Sequence, residues 1–265
     1  MKPPETAALT RREACELLVA CGTLTGLLGL THGGHAMADT TPKATAPTAG
    51  RAPLVRAPAG LAPAYRGVNQ IKPLPFNPAK LSGLSEQLII SHHQNNYAGA
   101  VKRLNQIQQQ LGVLPRDAAP YQLGSLKREE LIAANSMILH ELYFGNLGGA
   151  GKLSGSVVEL LTAEYGSVEA WEHEFRLGCL SLAGGSGWMV LNYDPHARVA
   201  HCYWAADHTH SLAGGVPLLV MDMYEHAYAM DYGANARAYV DAFFQNVNWD
   251  EVNRRAERAR KAATL

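Results

Sequence analysis

Apolar positions in the middle of the chain recur at helical spacing. Leu88, Ile89, Val101, Leu104 and Ile107 line one face of a helix predicted over Leu81 to Gln110, with Ser85 as its N-cap. A connection bearing Pro and Gly, Arg116 to Leu126, leads to a second predicted helix, Lys127 to Phe144, which the run GNLGGAG ends. Two long helices with one connection predict an antiparallel hairpin. Ser154 to Tyr165 and Ser167 to Ala183 also read as helices, and Gly184 to Gly187 breaks the second. The pattern then changes. Trp188 to Tyr193 and Arg198 to Trp204 read as strands joined by a turn at Asp194 to Ala197, and Val216 to Met221 reads as a third, buried strand. Asn235 to Asn246 and Trp249 to Ala263 close the chain as helices. The predicted fold is α+β: an N-terminal antiparallel helical hairpin, then a mixed domain with a three-stranded β-sheet and helices.

Four segments follow from this pattern. Residues 76–150 form a helical hairpin domain, and residues 151–265 an α/β domain expected to bind metal. Residues 39–75, rich in Ala, Pro and Thr, read as a flexible tail. Residues 1–38 read as an export signal. Arg11 and Arg12 precede an uncharged, mostly apolar stretch from Leu17 to Leu30, and Ala36-Met37-Ala38 supplies a cleavage site after Ala38. The Arg pair resembles a twin-arginine signal, which predicts a periplasmic or extracellular protein. Leu18-Val19-Ala20-Cys21 also resembles a lipoprotein box, ranked second because the apolar run continues past Cys21. Cleavage after Ala38 removes Cys15 and Cys21. Cys179 and Cys202 then remain, as a disulfide or as two buried thiols.

Composition narrows the partners. Formal net charge is zero and the pI is about 7.2, with no basic stripe to suggest nucleic acid. No apolar run reaches the roughly 20 residues a spanning helix needs.

The candidate chemistry centres on Met221 to Gly233, MDMYEHAYAMDYG. Asp222 leaves the third strand, and Glu225 and His226 open a helical pattern. Asp222 and His226 stand four apart and can face one point. A carboxylate with an imidazole suits a first-row transition metal, although such a pair alone is more often a helix cap beside a surface histidine. His92 on the first hairpin helix and His140 on the second supply further imidazoles. Three His and one Asp suit iron or manganese better than a structural zinc site, which favours Cys.

These motifs resemble those of the iron/manganese superoxide dismutases. GSGW at Gly185 to Trp188 is similar to a strand-opening motif of that family. MDMYEHAY is similar to its D-x-W-E-H-A-Y, with Tyr224 in place of Trp, and FFQNVNW at Phe243 to Trp249 to its FWNVVNW. The resemblance implies that His92, His140, Asp222 and His226 bind one iron or manganese ion per subunit, with His93 the competitor for the first position. It implies a homodimer through Glu225, which would reach a ligand His of the other subunit, and Tyr228. It places Trp188, Tyr143 and Phe144 as aromatic walls. The implied activity converts superoxide to oxygen and hydrogen peroxide as the metal cycles between +3 and +2. The alternative is an exported iron/manganese-binding protein with little or no dismutase activity.

The chain departs from the family at the approach to the metal. Ala100 stands where a gateway Tyr is usual, and Asn96 where a gateway His is usual. The Gln that faces the metal's solvent ligand is replaced by Ser136 on the second helix and falls near Asp207-His208 after the second strand. Asp207 and His208 are therefore the candidates for holding that solvent, with Tyr97 next.

Overall fold

The computed structural model describes residues 59–263. The export signal expected at 1–38, with its cleavage site and Cys21, and residues 39–58 of the expected tail lie outside the described residues. Ser85 opens the first helix, α1 (Glu86–Ser91), by accepting the Leu88 N–H on its Oγ at 3.0 Å. The chain runs on through a π-helical turn, His92–Tyr97, into α2 (Ala98–Gly112). The expected long helix is thus one rod with a widened turn at its centre.

The second hairpin helix, α3 (Pro120–Gly145), starts earlier than the Gly and Pro content of its first turns suggested. Pro120 has no N–H to satisfy and suits a first helical turn. Gln122 Oε1 takes the Ala119 N–H at 3.0 Å, which completes the start. A second correction concerns residues 59–75, assigned above to a flexible tail. They lie along the hairpin instead. Asn69 and Asn105 exchange three hydrogen bonds of 2.8–2.9 Å, and the Lys72 N–H donates to the Tyr97 hydroxyl at 2.9 Å. Gly67, at φ +58°, passes so close to the Asn105 carbonyl that a Cβ would collide with it. Polar bonds to a neighbouring helix hold this stretch, so apolar periodicity carries no trace of it.

The strands β1 (Trp188–Asp194), β2 (Val199–Ala205) and β3 (Val216–Asp222) form an antiparallel sheet in the order β2-β1-β3. Its register sets Trp188 opposite both Ala205 and Asp222, with an irregularity at Leu191/Asn192. The helices α4 (Ser156–Tyr165), α5 (Val168–Ser181), α6 (Ala229–Tyr232), α7 (Ala236–Gln245) and α8 (Trp249–Ala262) complete the fold. Trp171, Phe175, Phe244 and Trp249 meet edge-on where α5, α7 and α8 converge. Each such ring contributes about 2–3 kcal/mol by burial.

Polar groups then fix the sheet to the hairpin. Asn146, just past α3, donates to the Val220 carbonyl at 2.7 Å. Arg255 of α8 donates to Asn146 Oδ1 and to the carbonyls of Leu218 and Leu142 at 2.6–3.3 Å. These bonds hold β3 against the C-terminal end of α3. Cys179 and Cys202 are free thiols, and Cys179 Sγ lies 3.3 Å from Met221 Sδ.

Candidate metal centre

Asp222 ends β3 and is fully buried. Its three acceptor positions are all engaged. The backbone carbonyl takes the Tyr239 hydroxyl at 2.8 Å, and Oδ1 takes the Tyr224 N–H at 2.9 Å. Oδ2 faces three imidazoles: His92 Nε2 at 3.1 Å, His226 Nε2 at 3.3 Å and His140 Nε2 at 3.6 Å. One ligand atom from each of the four residues lies within 4.8 Å of every other. The sequence brought three chain segments to this point, and the structure joins them there.

Local structure explains each placement. The π-turn lets His92 and Tyr97, five positions apart, both face inward. His93 turns away, with its Nε2 2.8 Å from the Lys72 carbonyl, so His92 is the residue in the cluster. Tyr143 and Phe144 pack against the His92 ring at centroid distances of 5.2 and 5.1 Å. His140 sits one helical turn after Ser136 and donates from Nδ1 to the Ser136 carbonyl at 2.6 Å. His226 leaves β3 on a 3₁₀ turn, Glu225–Ala227, where a regular helical start was expected.

The electrostatics test whether a cation fits. The His140 Nδ1–H is committed to Ser136, so Nε2 carries the lone pair. That nitrogen is buried and has no hydrogen-bond partner among the described residues. It faces another acceptor, Asp222 Oδ2. Two buried acceptors 3.6 Å apart repel unless a cation lies between them. Burial holds His92 below its ordinary pKa and lowers His140 to about 3, so both imidazoles are neutral. Burial alone would raise Asp222. Hydrogen bonds from His226 and His92 outweigh it and hold the carboxyl well below its usual range. One ionised carboxylate and three imidazoles form a donor set for a divalent or trivalent transition metal ion.

The candidates outside the ligand set separate clearly. His208 lies at the wall of the site, its ring 6.4 Å from that of His140. Its Nδ1 accepts the Trp188 indole N–H at 2.9 Å, and its carbonyl accepts from Asn135 at 2.6 Å. Asp207 does not face the site. Its Oδ1 takes the Thr209 N–H and hydroxyl, both at 2.6 Å, so it caps its own loop. Tyr97 is also corrected. Its hydroxyl donates to Glu141 at 3.0 Å and accepts from Lys72 N, which leaves the ring as an aromatic wall. Tyr228 is 1% exposed, stacks on Tyr239 at 5.2 Å and turns its hydroxyl toward the Gly184 N–H. It offers no surface to a partner subunit and belongs to the core. Glu225 is exposed, beside His226.

Sequence reasoning missed Glu141 and Lys72, which fix Tyr97, and the stack of Tyr224 on His208 at 4.9 Å and on His226 at 5.3 Å. Glu141 carried a signal, since it adjoins His140. The stack on His208 carried none, because Tyr224 and His208 come from different loops. Ala100 and Ser136 are small and buried, and together with Asn96 and His208 they line a cavity of about 680 Å³ between the hairpin helices.

Residues 153–255 match the family profile described as iron/manganese superoxide dismutases, C-terminal domain. A protein named superoxide dismutase (Fe) from Cupriavidus metallidurans is 55% identical over 184 residues, covering 69% of this chain and 93% of the relative. One of the same name from Aquifex aeolicus is 35% identical over 206 residues, covering 74% and 95%. Superoxide dismutase (Mn) 1 from Halobacterium salinarum is 30% identical over 194 residues, covering 72% and 96%.

Proposed function

The chain belongs to the iron/manganese superoxide dismutases, and on that premise we propose that His92, His140, Asp222 and His226 hold the one metal ion of each subunit. The protein is a superoxide dismutase, an oxidoreductase that converts superoxide to oxygen and hydrogen peroxide with iron or manganese. The observation that carries the ligand assignment is the convergence of three imidazole nitrogens on Asp222 Oδ2 in a buried pocket. Iron is the favoured ion, because the relatives sharing 55% and 35% identity are both named for Fe.

When bound, the ion supplies one-electron exchange between its +3 and +2 states. The residues do the rest. Asp222 contributes the single negative charge, so a site holding an ion keeps net positive charge toward an anionic substrate. Ser136 fixes the ring of His140 through its carbonyl, while Tyr143 and Phe144 fix the ring of His92 by packing. Trp188 saturates His208 Nδ1, so neutral His208 carries its proton on Nε2. Burial holds His208 below its ordinary pKa and thus neutral. It is the group we assign to donate a hydrogen bond to solvent at the metal, the task the sequence left open among Asp207, His208 and Tyr97.

Two features complete the reading. The protein is a homodimer in which Glu225 accepts the far N–H of His226 of the partner subunit. It is exported, with cleavage after Ala38, on the strength of Arg11-Arg12, the apolar run and Ala36-Met37-Ala38.

The test is elemental analysis of the purified protein with a dismutation assay on the iron and manganese forms. One iron per subunit and iron-dependent activity are expected. Full metal content in both His140→Ala and Asp222→Ala would sink the ligand assignment.

A further inference from the structure

We propose that the groove between α3, α8 and the segment before α1 binds one fatty acid molecule, with Arg258 taking the carboxylate and apolar walls taking the tail. The groove shares Tyr97 and Phe144 with the wall of the metal centre but none of its four candidate ligands. The proposal goes beyond the dismutase reading and does not rest on it.

The cavity measures about 800 Å³, within the range of roughly 300–1,000 Å³ that small-molecule sites occupy. Much of its lining is apolar. Ile138 and Leu142 of α3, one helical turn apart, share it with Val216 and Pro217 at the start of β3 and with Pro73 and Pro75 before α1. Ile138 is 46% exposed, and Pro73 and Pro75 are exposed as well, so an apolar surface lies open to water here. An alkyl chain laid along it would remove apolar area from water on both partners.

The α8 side is cationic. Arg254, Arg255 and Arg258 recur there at helical spacing, and Lys72 adds a fourth cation from the segment before α1. Only two carboxylates line the groove with them, Glu141 and Glu251. Lys72 is held by Glu141. Glu251 accepts from Arg254 at 2.5 and 2.7 Å and from Arg255 Nε at 2.8 Å. Arg255 donates further to Asn146 Oδ1 and to the carbonyls of Leu218 and Leu142. Arg258 is exposed and has no hydrogen bond or ion pair among the described residues. Its guanidinium can take a carboxylate through two parallel N–H···O bonds.

An apolar wall beside one unpaired cation selects the occupant. A small inorganic anion would leave the wall wet, and a neutral apolar molecule would leave Arg258 unanswered. A fatty acid satisfies both.

The experiment is isothermal titration calorimetry of the full-length protein with decanoate below its micellar concentration. Decanol and acetate serve as probes of the tail alone and the head alone. One decanoate per subunit is expected, bound about 10-fold or more tightly than either control. Arg258→Glu should weaken decanoate about 10-fold and leave decanol unchanged, whereas Ile138→Ser should weaken both. Positions 138 and 258 are exposed, and the wild-type titration alone can decide against the site. Failure to saturate at one decanoate per subunit would overturn the proposal. So would acetate or decanol binding as tightly as decanoate, or wild-type decanoate affinity in Arg258→Glu.

Discussion

At the scale of single residues, the site is built from acceptors that face each other. His140 shows the consequence most directly, because burial depresses its pKa to about 3 from 6.5. The unfolded chain therefore takes up this proton at higher pH than the folded one. Folded-state stability is full above about 6.5 and is lost as pH falls toward about 3. The metal-free protein should lose on the order of a few kcal/mol across that window, measured by urea unfolding at several pH values. A flat profile between those values would mean that His140 is solvated. Trp188→Phe addresses His208. It keeps the wall but frees Nδ1, so both tautomers become available. Dismutation should fall about tenfold at unchanged metal content, with a shifted midpoint potential. Wild-type values for both would remove His208 from the mechanism. The convergence of His92, His140, Asp222 and His226 was legible because four chemically matched residues carry strong motifs. Asp207 and His208 were not separable by sequence, since adjacent residues in one loop point opposite ways. Tyr228 was misplaced for a related reason: a tyrosine two residues after a ligand reads alike whether it faces a partner or the core.

At the scale of elements, Ser85 joins two of them. Its Oγ caps α1 and also donates to Asp231 of α6 at 2.7 Å, while its N–H donates to the other oxygen of that carboxylate at 2.7 Å. Ser85→Ala should cost about 1–2 kcal/mol, read as a lowered midpoint in denaturant. A loss below a few tenths would mean that water replaces both roles. The strands and most helices were legible from apolar patterning, which burial imposes directly. Hidden features obeyed other rules. The first turns of α3 expose Tyr121 and Leu123 and contain Gly124, so they lack a buried periodic face. The stretch before α1 is held by paired asparagines, a contact between residues far apart in sequence.

At the scale of the whole molecule, the proposed homodimer would cover the exposed edge at His226. Glu225→Ala should weaken self-association and lower metal content together, measured by sedimentation and elemental analysis of the same sample. A variant that stays dimeric with full metal would separate the two. No helix among the described residues is long and apolar enough to cross a membrane. The α+β arrangement itself was legible, because hairpin and sheet follow one another along the chain without interleaving.

The widened turn at His92–Tyr97 gives this helix an unusual tolerance for changes in length. Inward-facing residues run Leu88, His92, Tyr97, Val101, so one interval is longer than the others by a residue. Removing one residue anywhere else in the rod would rotate everything beyond it by about 100° and carry either the ligand or the core face into water. Removing Asn95 would instead let an ordinary helix keep both faces in phase. The Asn95 deletion should fold, retain His92 in the cluster and bind metal, whereas deletion of Lys102 should yield insoluble protein. Comparing soluble yield and metal content of the two tests this. If both deletions fail alike, the turn is a rigid requirement and not a spare residue.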